Sequence, residues 1–201
     1  TEERIKMLPS GISDPKLKAK KVYEYMQQKT RYVSIQVGIG GFRPFLAEDV
    51  DRTGYGDCKA LVNYTHALLK AAGIDSYYCV VYGDRRKKSL MPDFASMDQG
   101  NHIILCVPFK NDTTWAECTS QKMPFGFLGD FTDDRWVLAC TAEGGKLLHT
   151  PHYTALTNLT KRKGDFIINA GGELSGDMTT AFSGTEFDER YSVIDEPYTE
   201  Q

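Results

Sequence analysis

The sequence lacks several features that would fix a function class at once. None of its apolar runs approaches the roughly 18 to 20 residues of a membrane span, and the opening Thr-Glu-Glu-Arg has no apolar signal core. It has no Cys-x-x-Cys pair and no cysteine and histidine spacing suited to a structural zinc site. It has no basic excess: 24 Lys and Arg stand against 27 Asp and Glu, for a net charge of -3. The basic runs, Lys16 to Lys21 and Arg85 to Lys88, are too short for a nucleic-acid stripe and read as solvated faces or loops. The glycine cluster at residues 38 to 41 lacks the Gly-Lys-Ser/Thr ending and following helix of a phosphate cradle, which leaves a tight turn. Histidine is scarce, at four residues, and five cysteines are an odd number, so at least one thiol is unpaired within the chain. A start without methionine predicts an excerpt of a longer polypeptide.

What is present is ordinary globular material. With 201 residues and 41% hydrophobic content, the chain can bury one good core and part of a second. Asp14-Pro15 reads as an N-cap followed by a first-turn proline, with Leu17, Val22, Tyr25 and Met26 at helical spacing to about Gln28. A strand is expected at Tyr32 to Val37, then a glycine loop closed by Pro44 and a short helical turn in AEDVDRT. Leu61, Tyr64, Leu68 and Ala72 share one helical face, and Gly73 stands where a C′ glycine belongs. Three runs rich in β-branched and aromatic residues follow, SYYCVVY, NHIILCVPF and TTWAECTS, with a long loop from Gly83 to Gly100 after the first. These predict antiparallel strands packed on the preceding helix, with Cys79 and Cys106 buried as small hydrophobes. Beyond Pro151 only strands and loops are expected, so the chain reads as a core over 1–150 and a β-rich segment over 151–201, the start of a following domain.

One stretch raises a chemical question. GYGDCKALVNYTHALLKAAGI, residues 54 to 74, sets Cys58 between a glycine-rich turn and an amphipathic helix. Backbone N–H groups and the positive end of the dipole at a helix start lower a thiol's pKa. A nucleophilic cysteine also needs a base within hydrogen-bond reach and a group that fixes the imidazole tautomer. His66 is eight residues along the same helix, about 12 Å away at the standard rise, and His149 and His152 lie at the expected boundary. His102, which opens a strand, is left. Glu117 lies on the strand that follows, across the short KNDT hairpin, where its carboxylate can accept the Nδ1 proton of His102. Asp98 and Asp112 are alternatives for that acidic position. The Cys58 N–H is a natural oxyanion donor. Gln36 is the candidate for a second donor by analogy with related enzymes, and Tyr55 for the cleft wall.

Cys58 in GYGDCKALVNYTHALLKAAGI, His102 in NHIILCVP and Glu117 in WAECTS together resemble the transglutaminase-like superfamily over residues 15 to 150. RYVSIQVGIGGFRPFLAEDV and FGFLGDFTDD look like its bacterial multidomain form, with β-rich domains flanking the core. The resemblance implies an α+β fold, a cysteine-bearing helix packed on an antiparallel sheet. It implies a Cys-His-Glu hydrolase of the peptidase or amidase type, working through a thioester on a peptide, protein or cell-wall substrate. It calls for no cofactor and no metal, and it suggests a periplasmic or cell-envelope location. A transglutaminase with an amine acceptor is a third reading, and an inactive domain of the same fold serving as a binding module is the alternative of a different class. Two positions depart from the family pattern: glutamate stands where aspartate is usual, and Ala60 where an acidic residue often follows GDCK, a change expected to act on substrate contact.

Overall fold

Asp14 and Pro15 start helix α1, Pro15–Lys29: the Asp14 carboxylate accepts from the Lys16 N–H at 2.8 Å, and proline takes the first helical position. These belong to a computed structural model that describes residues 11–191; residues 1–10, the Thr-Glu-Glu-Arg opening among them, and 192–201 lie outside the described residues. The buried stripe of α1 is Ala19, Val22, Tyr23 and Met26, whereas Leu17 is 52% exposed, about half a turn out of phase with the face that packs. At its C-terminus Lys29 pairs at 3.0 Å with Asp51 of α2, Ala47–Thr53, and Asp51 also accepts from the Tyr64 hydroxyl at 2.6 Å. That carboxylate joins three helices, because Tyr64 lies on α3, Cys58–Ala71.

The strand expected at Tyr32 to Val37 is only β1, Arg31–Tyr32, paired in parallel with β2, Tyr55–Gly56. Its partner is short because Asp57 already caps α3, so pairing ends with Val33 N–H donating to the Gly56 carbonyl at 2.9 Å. The chain then leaves the pair exposed and turns through a 3-10 helix at Gly38–Gly41. Helix α3 ends as its sequence requires. Gly73, at φ 74°, donates to Lys70 and lets Ile74 donate back to Leu69, the double bond of a Schellman cap.

Five antiparallel strands follow: β3 Tyr77–Val81, β4 His102–Phe109, β5 Asp112–Ala116, β6 Trp136–Thr141 and β7 Gly144–His149, in spatial order β5-β4-β3-β6-β7. β4 is an almost unbroken apolar run because both of its faces are covered. Ile103, Leu105 and Val107 pack with Val22, Met26, Leu61 and Leu69 of the helices, while Ile104 and Cys106 pack with Cys79, Trp115, Leu128 and Val137. Cys79 and Cys106 are thus core residues, and all five cysteines are free thiols. Among the described residues no helix is long and apolar enough to cross a membrane.

The chain divides into two compact units, the first ending at Pro151 and the second beginning at His152. In the second, β8, Leu159–Ile168, and β9, Leu174–Ser183, form one antiparallel hairpin. Its turn is built on Asn169, whose side-chain oxygen accepts from Gly171 and Glu173 N–H groups at 2.9 and 3.0 Å. A seven-residue helix, α4, Thr185–Tyr191, corrects the expectation of strands and loops alone. Its start is encoded by acidic Glu186 and Asp188 in the first turn, which favour a helix N-terminus without any apolar period.

Candidate active site

Asp57 fixes where α3 begins. Its backbone is extended (φ -83°, ψ -176°), and its side chain accepts from the Ala60 N–H at 3.0 Å. The first residue inside the helix is therefore Cys58, buried, with the unpaired N–H groups and the dipole of the first turn beside its thiol. The other Asp57 oxygen binds the Lys59 ammonium, so the nucleophile candidate sits between two buried, mutually paired charges. Ala60 is buried and faces Gly56, where even a Cβ would come within 2.7 Å of it. Its side chain points into packing, which corrects the expectation that the change at this position acts on substrate contact.

His102 opens β4 and is buried, and Cys58 at the start of α3 is one of the groups that act on its charge. Its Nε2 lies 2.8 Å from Glu117 Oε2. The carboxylate thus meets Nε2, where the sequence predicted Nδ1. The β4–β5 pairing ends with Leu105 opposite Ala116, and the chain turns at once after Glu117, so the carboxylate reaches His102 from the first residue beyond β5 and not from within the ladder.

Glu117 is held at both oxygens. Oε1 accepts from the Thr119 N–H at 3.0 Å and from the Thr119 hydroxyl at 2.6 Å. The loop that holds it is tied to α1, because the Tyr23 hydroxyl donates to the Glu117 carbonyl at 2.6 Å and the Gln27 amide donates to Ser120 and Met123 carbonyls, each at 2.9 Å. Burial pushes the Glu117 carboxyl up, but the attraction of His102 and the hydrogen bonds of His102 and Thr119 outweigh it and hold the group below its ordinary value. At His102 burial lowers the pKa, and the Glu117 charge together with hydrogen bonds to Cys58 and Glu117 more than reverses this, raising it from 6.5 to about 10. The favoured state is an imidazolium with its Nε2 on the Glu117 carboxylate.

The other candidates fall elsewhere. Gln36 is exposed on irregular chain beyond β1, off the strand expected for it, and Tyr55 is partly buried in β2 two residues before the helix cap. Asp112 is paired with Lys16, and Asp98 is exposed in a 3-10 turn, Met97–Gln99, so neither takes the position Glu117 fills. His66 bonds Ser76 at 2.9 Å. Three residues escaped the sequence reading. Thr119 sits two residues after Glu117, the spacing of a side-chain turn. Phe131 stacks edge-on against His102 with ring centroids 5.3 Å apart. Arg135 is fully buried and donates to four backbone carbonyls. Among the described residues no group of His, Cys, Asp or Glu is arranged to hold a metal ion.

The family model of the transglutaminase-like superfamily matches residues 5–139. A solved structure from Parabacteroides distasonis, described as a "putative protease", superposes with a TM-score of 0.57 at 15% identity, over 75% of this chain. The chain spans about a quarter of that structure's length, 27%. No curated protein matches. The superposition is a likeness of fold: helices against an antiparallel sheet, as expected from the sequence.

Proposed function

The chain belongs to the transglutaminase-like superfamily, and from that premise we propose that it is a cysteine-dependent acyl-transfer enzyme acting as a peptidase or amidase. Cys58 is the nucleophile, His102 the acid and base, and Glu117 the residue that holds the histidine. The observation that supports this most is a buried histidine 2.8 Å from a buried carboxylate, with the buried Cys58 thiol at a helix start among the groups acting on it. On this reading residues 1–150 are the catalytic core and 151–201 a separate β-rich segment.

The chemistry follows from the geometry. His102 holds the thiol proton, and the Cys58 thiolate adds to an amide carbonyl, forming a carbon–sulfur bond as the carbonyl π electrons move to oxygen. The Cys58 N–H at the helix start faces that oxyanion, and Gln36 is the side-chain candidate for a second donor. Collapse breaks the carbon–nitrogen bond, and His102 gives its proton to the leaving amine, which departs and leaves a thioester. Neutral His102 then takes a proton from water as the water adds to the thioester carbonyl, and the protonated ring returns a proton to sulfur as the acid is released. Glu117 accepts the Nε2 proton throughout and stays ionised, so the imidazole keeps one orientation in both half-reactions. Tyr55, just before the cap, lines the cleft on the cysteine side.

The test is a digest of a denatured protein mixture in 18O-labelled water, with a biotinylated alkylamine as competing acceptor. New carboxyl termini carrying 18O, absent with Cys58→Ala of unchanged circular dichroism, are expected. Amine incorporation without hydrolysis would make the enzyme a transglutaminase. Cleavage that survives Cys58→Ala, or no reaction with either acceptor and no labelling of Cys58 by acyl electrophiles, would overturn the proposal in favour of a binding module.

A further inference from the structure

Phe131 is 44% exposed, an unusual state for a large apolar side chain in a loop of glycine and aspartate, yet its ring lies against a buried histidine. The contact is edge-to-face, with centroids 5.3 Å apart and planes at 67°. The segment that presents it is anchored with unusual care. Arg135, fully buried, donates to the Tyr82 and Asp84 carbonyls at 2.6 and 2.9 Å on one side. On the other it donates to the Asp130 and Asp133 carbonyls at 3.1 and 2.8 Å. One guanidinium therefore cross-links the chain on both sides of Gly83 to the chain on both sides of Phe131. The Asp84 N–H adds a bond to the Phe131 carbonyl at 3.1 Å.

Gly83 is where the two meet. A Cβ there would stand 2.5 Å from Phe131 Cε1, 2.6 Å from its Cζ and 3.1 Å from His102 Cβ. Asn101, the residue before His102, grips the same glycine: its side-chain oxygen accepts from the Gly83 N–H at 2.6 Å, and its amide donates to the Gly83 carbonyl at 3.0 Å. The root of His102 is thus fixed through Asn101 and Gly83, and its ring is met by Phe131.

We propose that Phe131 is a positioning residue for His102: its ring, seated in the space left by Gly83 and braced by Arg135, holds the imidazole with Nε2 on Glu117 and Nδ1 toward Cys58 and keeps water off that pair. The inference rests on the reading of Cys58 and His102 as nucleophile and base. The titratable groups acting on His102 are Cys58 from α3 and Glu117 after β5. Phe131 carries no charge, so it acts through ring orientation and exclusion of water alone.

The experiment is the rate of Cys58 alkylation by iodoacetamide from pH 5 to 10, mapped by peptide, in the whole protein and in Phe131→Ala, Gly83→Ala and the double variant, with thermal melts alongside. Phe131→Ala slows alkylation at pH 6 by about 2- to 12-fold, the reach of one edge-to-face contact, and rejoins the parent curve above pH 9. Gly83→Ala, which leaves Phe131 in the sequence but takes its seat, gives a shift of the same sign. In the Phe131→Ala background the same glycine change adds nothing, because the ring it displaces is gone. A melting shift with an unchanged pH profile would reduce Phe131 to packing and overturn the inference, as would additive effects in the double variant. If the parent protein itself shows no accelerated Cys58 reaction that depends on His102, the failure belongs to the underlying functional reading.

Discussion

Replacing Glu117 by glutamine removes the charge and keeps the shape. Its one oxygen can still accept from His102 Nε2, now 2.8 Å from Oε2, while its NH2 takes the place of the Oε1 that accepts from the Thr119 N–H, so the variant loses the charge together with one bond to the loop. At His102 burial is the largest single influence and pulls the pKa down; it is overcome by the Glu117 charge and by hydrogen bonds to Cys58 and Glu117. Without the charge, a hydrogen bond of about 1.5 to 3 kcal/mol becomes a neutral one of about 0.5 to 1.5 kcal/mol. The loss of about 1 to 2 kcal/mol lowers the His102 pKa by about one pH unit or somewhat more. The assay is a titration of the His102 imidazole by NMR, in a Cys58→Ala background so that the thiol does not titrate with it. Glu117→Gln moves the midpoint down by that amount, toward the ordinary histidine value. A midpoint unmoved by loss of the carboxylate would refute the claim that Glu117 holds the proton on His102.

Stability carries the same signature. The raised pKa of His102 contributes stability that is complete below 6.5 and lost as pH rises through about 10, while the lowered pKa of Glu117 contributes above 4.5 and is lost in more acid solution. Urea unfolding should therefore show the pair's contribution greatest between 4.5 and 6.5 and falling above that window, by at most about 1.4 kcal/mol per pH unit, a slope that His102→Gln flattens. Arg135→Met strands four carbonyls and removes the guanidinium 3.9 Å from the buried Asp133 carboxylate, which keeps Lys87 at 2.9 Å, and should cost about 3 to 5 kcal/mol in the same assay; a cost below about 1 kcal/mol would contradict its bracing role. Thr119→Val removes one donor to Glu117 and leaves the backbone N–H, so the loss should be about 1.5 to 3 kcal/mol, with a downward shift of the His102 midpoint too small to match Glu117→Gln.

Helix α3 was legible because its signals are local: an apolar period on one face and Gly73 after it. β4 was legible as an apolar run, and the order of Cys58, His102 and Glu117 was enough to bring the three elements into consideration together. What escaped depended on register and on distant chain. The nitrogen that Glu117 meets depends on where β5 ends and the chain turns, just before and after Glu117, which no hairpin sequence states. Arg135 was hidden because its partners are carbonyls of Tyr82, Asp84, Asp130 and Asp133, and backbone acceptors leave no trace in residue identity. The reach of β1 was overestimated because its length is set by β2, which the helix cap cuts short at Gly56. Helix α4 escaped because seven residues with acidic ends have no period to read.

The central claim, that Cys58 and His102 form a nucleophile and base pair, is tested most directly by the rate of Cys58 alkylation against pH in the parent protein and in His102→Ala. The account predicts a Cys58 that reacts at pH 6 ahead of the other four cysteines and loses that lead when His102 is removed. A Cys58 that reacts no faster at pH 6 than the exposed Cys140, with a profile indifferent to His102, would contradict it.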